Sequence, residues 1–260
     1  MAQLLHYNRK RIYYTPRQEH KDAHFKTQIE EVHEQHPAYG HRRVALALHC
    51  NKKRALRVMH KYHLKPPRRR VQGTYTTHSV YTNLIAQQKA TKPGQILASD
   101  LTYIRYKQVF IYLATVEDLC TREILSGAPS LHHDSAIALQ VVQEALDTLP
   151  CPPRIFHSDQ GSEYMAQVVT GYLEERGVHI SVSDKASPWQ NGYKESFFSR
   201  LKAEVGDVNR FDDLGQLIAE LYAYMHYHNT QRIHTALKMT PVQFKKQFVD
   251  RDSVSEKRGT

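Results

Sequence analysis

Apolar residues recur at two different periods along this chain, and the period changes near residue 94. Before that point, Phe25, Ile29 and Val32 stand three and four apart, the spacing of one helix face, and Pro37 and Gly40 bring the pattern to an end. A short helix is predicted in HRRVALALH. Asn51 is placed to cap a third, KKRALRVMHKYHL, with Leu56, Met59 and His63 along one face and Lys52, Lys53, Arg54 and Arg57 elsewhere. Three short helices with a basic last member predict a small all-helical, helix-turn-helix-like DNA-binding module over 1–64. The stretch from LKPPRRRVQGTYTTHS to ATKPG is polar, with Pro-Pro, an Arg triplet and few aliphatics, and predicts a basic linker over 65–93.

After Pro93-Gly94 the pattern turns to strands: ILASDLTYIRY, VFIYLATVED and REILSGAP. A helix is predicted over Ser135–Leu149, with Ile137, Val141, Ala145 and Leu149 at intervals of four and Asp134 as its cap. RIFHS then reads as a strand, SEYMAQVVTGYLEERG as a helix closed by Gly177, and VHISVS as another strand. Three strands followed by alternating helix and strand predict a mixed α/β sheet layered with helices. Further on, Phe197, Phe198, Leu201 and Val205 form an apolar stripe that leaves Glu195, Ser199 and Lys202 on the opposite face of a helix. The aromatics of ELYAYMHYHNT fall at helical spacing and read as core. The longest apolar run, VFIYLATV, is strand-sized, so no membrane span is expected. The basic N-terminus has no apolar stretch behind it to act as a signal peptide.

Charge separates the same two parts. The 260 residues carry a net +10, yet residues 1–92 hold 19 Lys/Arg against 5 Asp/Glu, whereas residues 93–260 hold 17 against 21. The dense positive block is the footprint of a phosphate-backbone partner, because Lys and Arg near phosphates release condensed counterions; a solvated basic surface is the plainer alternative. Three scattered cysteines with no C-x-x-C pair argue against a disulfide framework and a cysteine zinc site, and place the chain in the cytoplasm. Seventeen histidines form no ligand set with paired Cys, so structural or DNA-facing roles are expected for them.

The chemistry is carried by acids. Asp100 lies within the first strand, Asp159 at the end of a later one, and Glu195 on a helix after thirty-five intervening residues. If the first strand is central and pairs beside the fourth, the two aspartates meet at the sheet, and a helix can bring Glu195 to them. Such a trio suits Mg²⁺, a hard cation that takes carboxylate and phosphate oxygens. Two such ions about 3.5–4 Å apart activate the attacking oxygen and stabilise the leaving one at phosphorus. Spacing alone does not separate this trio from three surface acids. Beside it, His157 reads equally as an orienting group and as a core histidine; Glu163 reads as an exposed helix-start acid rather than an outer-sphere acid, Asp118, with the same two readings, as structural, and Trp189 as an anchor at the entry to the helix of Glu195 rather than a stacking surface for a flipped base.

SDLTYI with Asp100, HSDQGSEY with Asp159, and QNGYKESFFSRLKAE with Glu195 and Lys202 closely resemble the DDE transposases of bacterial insertion sequences, relatives of retroviral integrases. The match is to the IS-three family, in its second-reading-frame product, often called OrfB. It extends N-terminally through YGHRRVALAL and NKKRALRVMHKYHL, similar to the family's helix-turn-helix segment, and C-terminally through YHNTQRIHTALKMTPVQF. Gln190-Asn191 stands where many members have Asp-Asn, and Leu97 lies near a position where Trp is common. The resemblance implies a ribonuclease H-like catalytic core, here over 94–230, with a C-terminal tail over 231–260. It implies Mg²⁺-dependent strand cleavage and strand transfer at element ends, with Asp100, Asp159 and Glu195 as catalytic and metal-binding residues and Mn²⁺ as an alternative ion. Double-stranded DNA, at element ends and target, is the implied partner; so are further copies of the chain assembled on DNA and a first-reading-frame transposase product. Lys202, Lys52, Lys53, Arg54, Arg57, Arg68, Arg69 and Arg70 are the expected DNA contacts. The rival expectation is a non-catalytic regulator that occupies element ends without cutting.

Overall fold

A computed structural model describes residues 17–66, 81–86, 88–183 and 192–256. The chain divides into two compact units, Met1–Pro67 and Arg68–Thr260.

In the first unit, helix α1 (Arg17–Gln35) is followed by α2 (His41–Ala47) and α3 (Lys52–Lys61). Between α2 and α3 the chain turns through His49, whose φ of 47° lies in the left-handed region, and Asn51, whose side chain accepts from the Lys53 N–H at 2.8 Å and so caps α3. Phe25 and Ile29 of α1, Tyr39, Val44, Ala55, Val58 and Met59 are buried. The buried stripe of α3 is therefore Ala55/Val58/Met59, not the expected Leu56/Met59/His63: Leu56 is exposed, and His63 lies past the helix end with φ 56°. Both stripes satisfy the helical period; the three-helix packing selects the one with small Ala55 at its close approach. Asp22, 1% exposed, accepts two bonds from the Arg57 guanidinium (2.6 and 2.7 Å) and one from Lys61 (3.2 Å). Those hydrogen bonds, Arg57 foremost, outweigh burial and hold the Asp22 carboxyl well below the usual carboxylate range.

The second unit is a five-stranded sheet in the order β3-β2-β1-β4-β5. Strands β1 (Ile96–Tyr106), β2 (Val109–Asp118) and β3 (Ile124–Ser130) form an antiparallel meander, while β4 (Ile155–Ser158) and β5 (His179–Val182) run parallel to β1. The two parallel crossovers carry helices α4 (Ser135–Asp147) and α5 (Gln167–Glu174). Asp134 caps α4 as expected, accepting from the N–H groups of Ala136 and Ile137. One sheet face packs on α4 and α5 through Leu97, Ala114, Val116, Phe156, Val141, Val142 and Val169. The other packs on α6 (Gly192–Val205) and α7 (Leu214–Thr230), where Ile104, Tyr106, Ile111 and Leu113 meet Phe197, Phe198, Leu201, Val205, Leu217 and Leu221. Helix α8 (Pro241–Glu256) follows.

One helix starts later than expected, and the stretches on either side of the core pack against it. The helix expected over 162–177 starts only at Gln167: residues 161–165 form a turn in which Tyr164 and Met165 both donate to the Gly161 carbonyl, and Ala166 is extended at ψ 138°. Within the stretch expected as linker, Leu84, Ile85 and Ala90 pack on Ile96, Leu119 and Ile155, and the Val182 N–H donates to the Thr82 carbonyl. The tail is tied to the core by Arg232, 1% exposed, which donates to Glu204 on α6 at 2.5 to 3.0 Å, and by Lys245, which donates to Glu123 at 2.7 Å. Burial opposes the Arg232 charge, but the bonds and charge of Glu204 win and raise its pKa.

Candidate active site

The two aspartates owe their proximity to strand register. β1 and β4 pair in parallel through Ile96↔Ile155, Leu97↔Phe156 and Ala98↔His157, and Asp100 and Asp159 each stand two residues beyond the last of these. Neighbouring strands lie about 4.8 Å apart, so Asp100, in the middle of β1, and Asp159, just past the end of β4, stand on adjacent strands. Open α/β sheets place ligand sites beyond the carboxyl ends of strands, as here past β4, because the chain there turns away and leaves a crevice. Asp100 accepts from the Leu101 N–H at 2.8 Å, and Asp159 accepts from the Gly161 N–H at 2.9 Å. Tyr164 lies where both acids act on it; its hydroxyl donates to Ser99 of β1 or accepts from it at 2.7 Å, and burial holds the phenol protonated.

A second acid crowds Asp159. Glu163, expected to be exposed at a helix start, is 7% exposed, sits in the turn before α5, and faces His133 Nε2 at 3.3 Å. Burial raises the Asp159 pKa and the Glu163 charge adds to it, while the Gly161 N–H and His133 pull the other way. A Cβ at Gly161 would stand 2.5 Å from Glu163 Oε1 and 2.9 Å from Asp159 Oδ1, so any larger residue there would push one of the two carboxylates aside. His157 has the core role: it is fully buried, its ring nitrogens bond Ser181 of β5 and Ser183 just past it at 2.9 and 3.0 Å, and burial lowers its pKa to about 4, so the ring is neutral. Asp118 is structural, accepting from the N–H groups of Gly94 and Cys120 and from the Thr121 hydroxyl.

Helix α6 brings the remaining pair. Its apolar stripe is buried as the spacing predicts, with Phe197, Phe198, Leu201 and Val205 at 5% exposure or less. Glu195 lies in its first turn, and Lys202 two turns on extends over the Tyr103 ring, with Nζ 5.0 Å from the ring centroid. Burial of the ammonium lowers the Lys202 pKa, and the negative charge of Asp100 opposes that shift.

Among the described residues no three His, Cys, Asp or Glu side chains gather around one point as a metal-ligand set. Glu195 thus does not share a single ligand sphere with both aspartates. The pair itself fits a divalent ion: all its donors are hard carboxylate oxygens, and the crowding of buried negative charge at Asp159 and Glu163 is the imbalance a cation relieves. Mg²⁺ needs only one or two protein carboxylates when substrate phosphate and water fill the remaining positions.

In the first unit, Lys52, Lys53 and Arg54 are exposed at the start of α3, and Arg54 lies over the Phe25 ring at 4.1 Å. Arg57, expected to face DNA, gives its guanidinium to Asp22. Arg68, Arg69, Arg70 and Trp189 lie outside the described residues.

Two family profiles described as "Integrase core domain" match residues 90–188 and 176–241. The transposase for insertion sequence element IS904 of Lactococcus lactis subsp. lactis (strain IL1403) is 31% identical over 82% of this chain and 90% of its own length. The putative transposase InsK for insertion sequence element IS150 of Escherichia coli (strain K12) is 30% identical over 87% of this chain and 84% of its own. In fold, the chain is similar to one in the simian T-cell lymphotropic virus intasome complexed with PP2A regulatory subunit B56 gamma. That match has a TM-score of 0.54 and 18% identity, and covers 84% of this chain and 74% of the other.

Proposed function

Because the chain belongs to the IS3 (IS-three) family of insertion-sequence transposases, with an integrase catalytic core and a role in DNA transposition, we propose that it cleaves the DNA strand at an element end and joins the freed 3′-hydroxyl to a target phosphodiester. The observation that carries this reading is the parallel pairing of β1 with β4, which brings Asp100, within β1, next to Asp159, just past β4, with the Asp100 charge acting on Lys202. Asp100 and Asp159 would hold a divalent ion, Mg²⁺ or Mn²⁺, with Glu195 as the third acid offered from α6. Such an ion, when bound, supplies charge stabilisation at the attacking and leaving oxygens of an in-line displacement. Lys202 holds a phosphate oxygen next to the scissile bond. The Gly161 N–H fixes the Asp159 carboxylate, and the Ser99–Tyr164 bond braces the turn that carries it against β1. Both chemical steps replace one P–O bond with another, so no covalent enzyme intermediate is needed.

The reading is tested by incubating the chain with labelled element-end duplex and Mg²⁺ and following 3′-hydroxyl formation and joined product. A regulator without catalytic activity would bind the duplex and leave it intact. Lys202→Ala is expected to reduce joining about tenfold or more, the value of a charge-assisted bond to phosphate. It should leave the melting temperature nearly unchanged, since the side chain is accessible to solvent. Lys202→Arg should retain part of the activity, because it keeps the charge and alters the geometry.

The basic first unit is proposed as a DNA-holding module and the chain is proposed to assemble as an oligomer on DNA, with the first-reading-frame product as a further partner. Binding should weaken with salt at a slope in log–log form of roughly −0.9 per phosphate contacted. Removing residues 1–67 is expected to flatten that slope by several units in a fluorescence titration; an unchanged slope would place the DNA contacts elsewhere.

A further inference from the structure

β4 ends at Ser158, and its pairing with β1 stops at Ala98↔His157, so on that side the C-terminal half of β1 is paired with no strand among the described residues. A cleft of about 240 Å³ opens there, lined by Tyr103 and Arg105 of β1, by Leu201, Lys202 and Val205 of α6, and by the turn after it. Ligand pockets for whole small molecules run to about 300–1,000 Å³, so this one suits a single flat ring with a charged group at its margin. Its wall is aromatic and accessible: Tyr103 is 45% exposed, its cross-strand neighbour is Tyr112, and it meets Phe110, 47% exposed, edge to face at 5.7 Å. Large exposed aromatics beside cations are the recurring feature of single-stranded nucleic-acid platforms, where each base stacks on a ring and its phosphate meets Lys or Arg. Asp100 lies three residues away along the same strand, about 10 Å at strand rise; alternation sends the two side chains to opposite faces, and Lys202, whose Nζ stands 5.0 Å from the Tyr103 ring centroid and feels the Asp100 charge, links them around the strand edge.

From this arrangement we infer that the Tyr103–Arg105–Lys202 cleft is a stacking site for an unpaired base of the DNA strand next to the scissile phosphate, with the base on the Tyr103 ring and the adjoining phosphate on Lys202 and Arg105. The inference rests on the transposase reading and deepens it: the substrate end is bound frayed or with a short single-stranded overhang, rather than as a fully paired duplex. A core role for Tyr103 does not account for its exposure.

The experiment uses the full chain without divalent ions, so that binding is read apart from cleavage. Two DNAs of the same sequence are compared by fluorescence anisotropy, one blunt and one with a two-nucleotide overhang carrying 2-aminopurine. Wild-type protein should prefer the overhang DNA and quench the 2-aminopurine. Tyr103→Ala should lower affinity for the overhang DNA at least about fivefold, abolish the quenching and leave blunt-duplex affinity unchanged. Tyr103→Phe should preserve both, since the ring face is kept. Equal affinities of wild type and Tyr103→Ala for the overhang DNA, with quenching intact, would overturn the stacking site and leave the transposase reading standing. Parallel loss on both DNAs, or a change in oligomeric state by sedimentation without loss of overhang preference, would overturn it in favour of a general or a self-association role. No binding to either DNA would overturn both readings.

Discussion

Asp159→Asn is expected to suppress cleavage and joining of element-end DNA by more than about 100-fold, beyond what is lost when groups that merely support a metal ligand are removed. DNA affinity should change little. The substitution is nearly isosteric, and the amide oxygen can still accept from the Gly161 N–H, so the turn over Glu163 keeps its shape. What disappears is the charge that a hard cation requires from this position. Single-turnover assays with end-labelled duplex, run beside anisotropy on the same preparation, check both halves. Activity within severalfold of wild type would remove Asp159 from the reaction and with it the proposed site.

The largest stability effect is expected at Arg232. Its guanidinium is buried on α6 and bonded to both oxygens of Glu204, so Arg232→Ala leaves an uncompensated carboxylate in an interior of Leu201, Val205, Leu221 and Tyr224. Breaking a buried pair from one side costs about 3–5 kcal/mol. In a unit of this size each kcal/mol shifts the melting temperature about 2–4 °C, so a drop of roughly 6–20 °C is expected by calorimetry. Replacing both partners, Arg232→Met with Glu204→Leu, should recover much of the loss, because no lone charge remains. A single variant that melts within 2–3 °C of wild type, about one kcal/mol, would show that water reaches Glu204.

The parts of this architecture that were legible in sequence are those fixed by neighbours along the chain. The stripe Phe197/Phe198/Leu201/Val205, the caps Asp134 and Asn51, and the change of period after Gly94 all follow from spacings of two to four residues, and the structure has them. The meeting of Asp100 and Asp159 needed one further condition, a central first strand, which the sheet order supplies. What sequence did not give depends on distant partners. Glu163 looked like an exposed helix-start acid because nothing local shows that His133, thirty residues earlier, faces it. His157 was ambiguous because its two serines lie on β5 and just past its end, 24 and 26 residues on. For Leu56 against Ala55 the helical period is indifferent, and only the packing of α1 decides. Tyr103 went unnoticed since alternation along β1 assigns it to a face without saying that β4 stops short of it.

The Glu204–Arg232 pair also has a consequence for the order in which the chain matures as it is made. The first unit can close early, since its buried ion pair joins Asp22 to Arg57, only 35 residues on. The second unit cannot: α6 buries a bare carboxylate until Arg232, 28 residues later, has left the ribosome, an interval of about 1.5–6 s at 5–20 residues per second. During that interval the burial of Glu204 is unfavourable, so α6 is expected to dock on the sheet only once Arg232 is available. In the nascent chain the first unit is therefore expected to close ahead of the second, whose assembly waits on a residue near its C-terminal end.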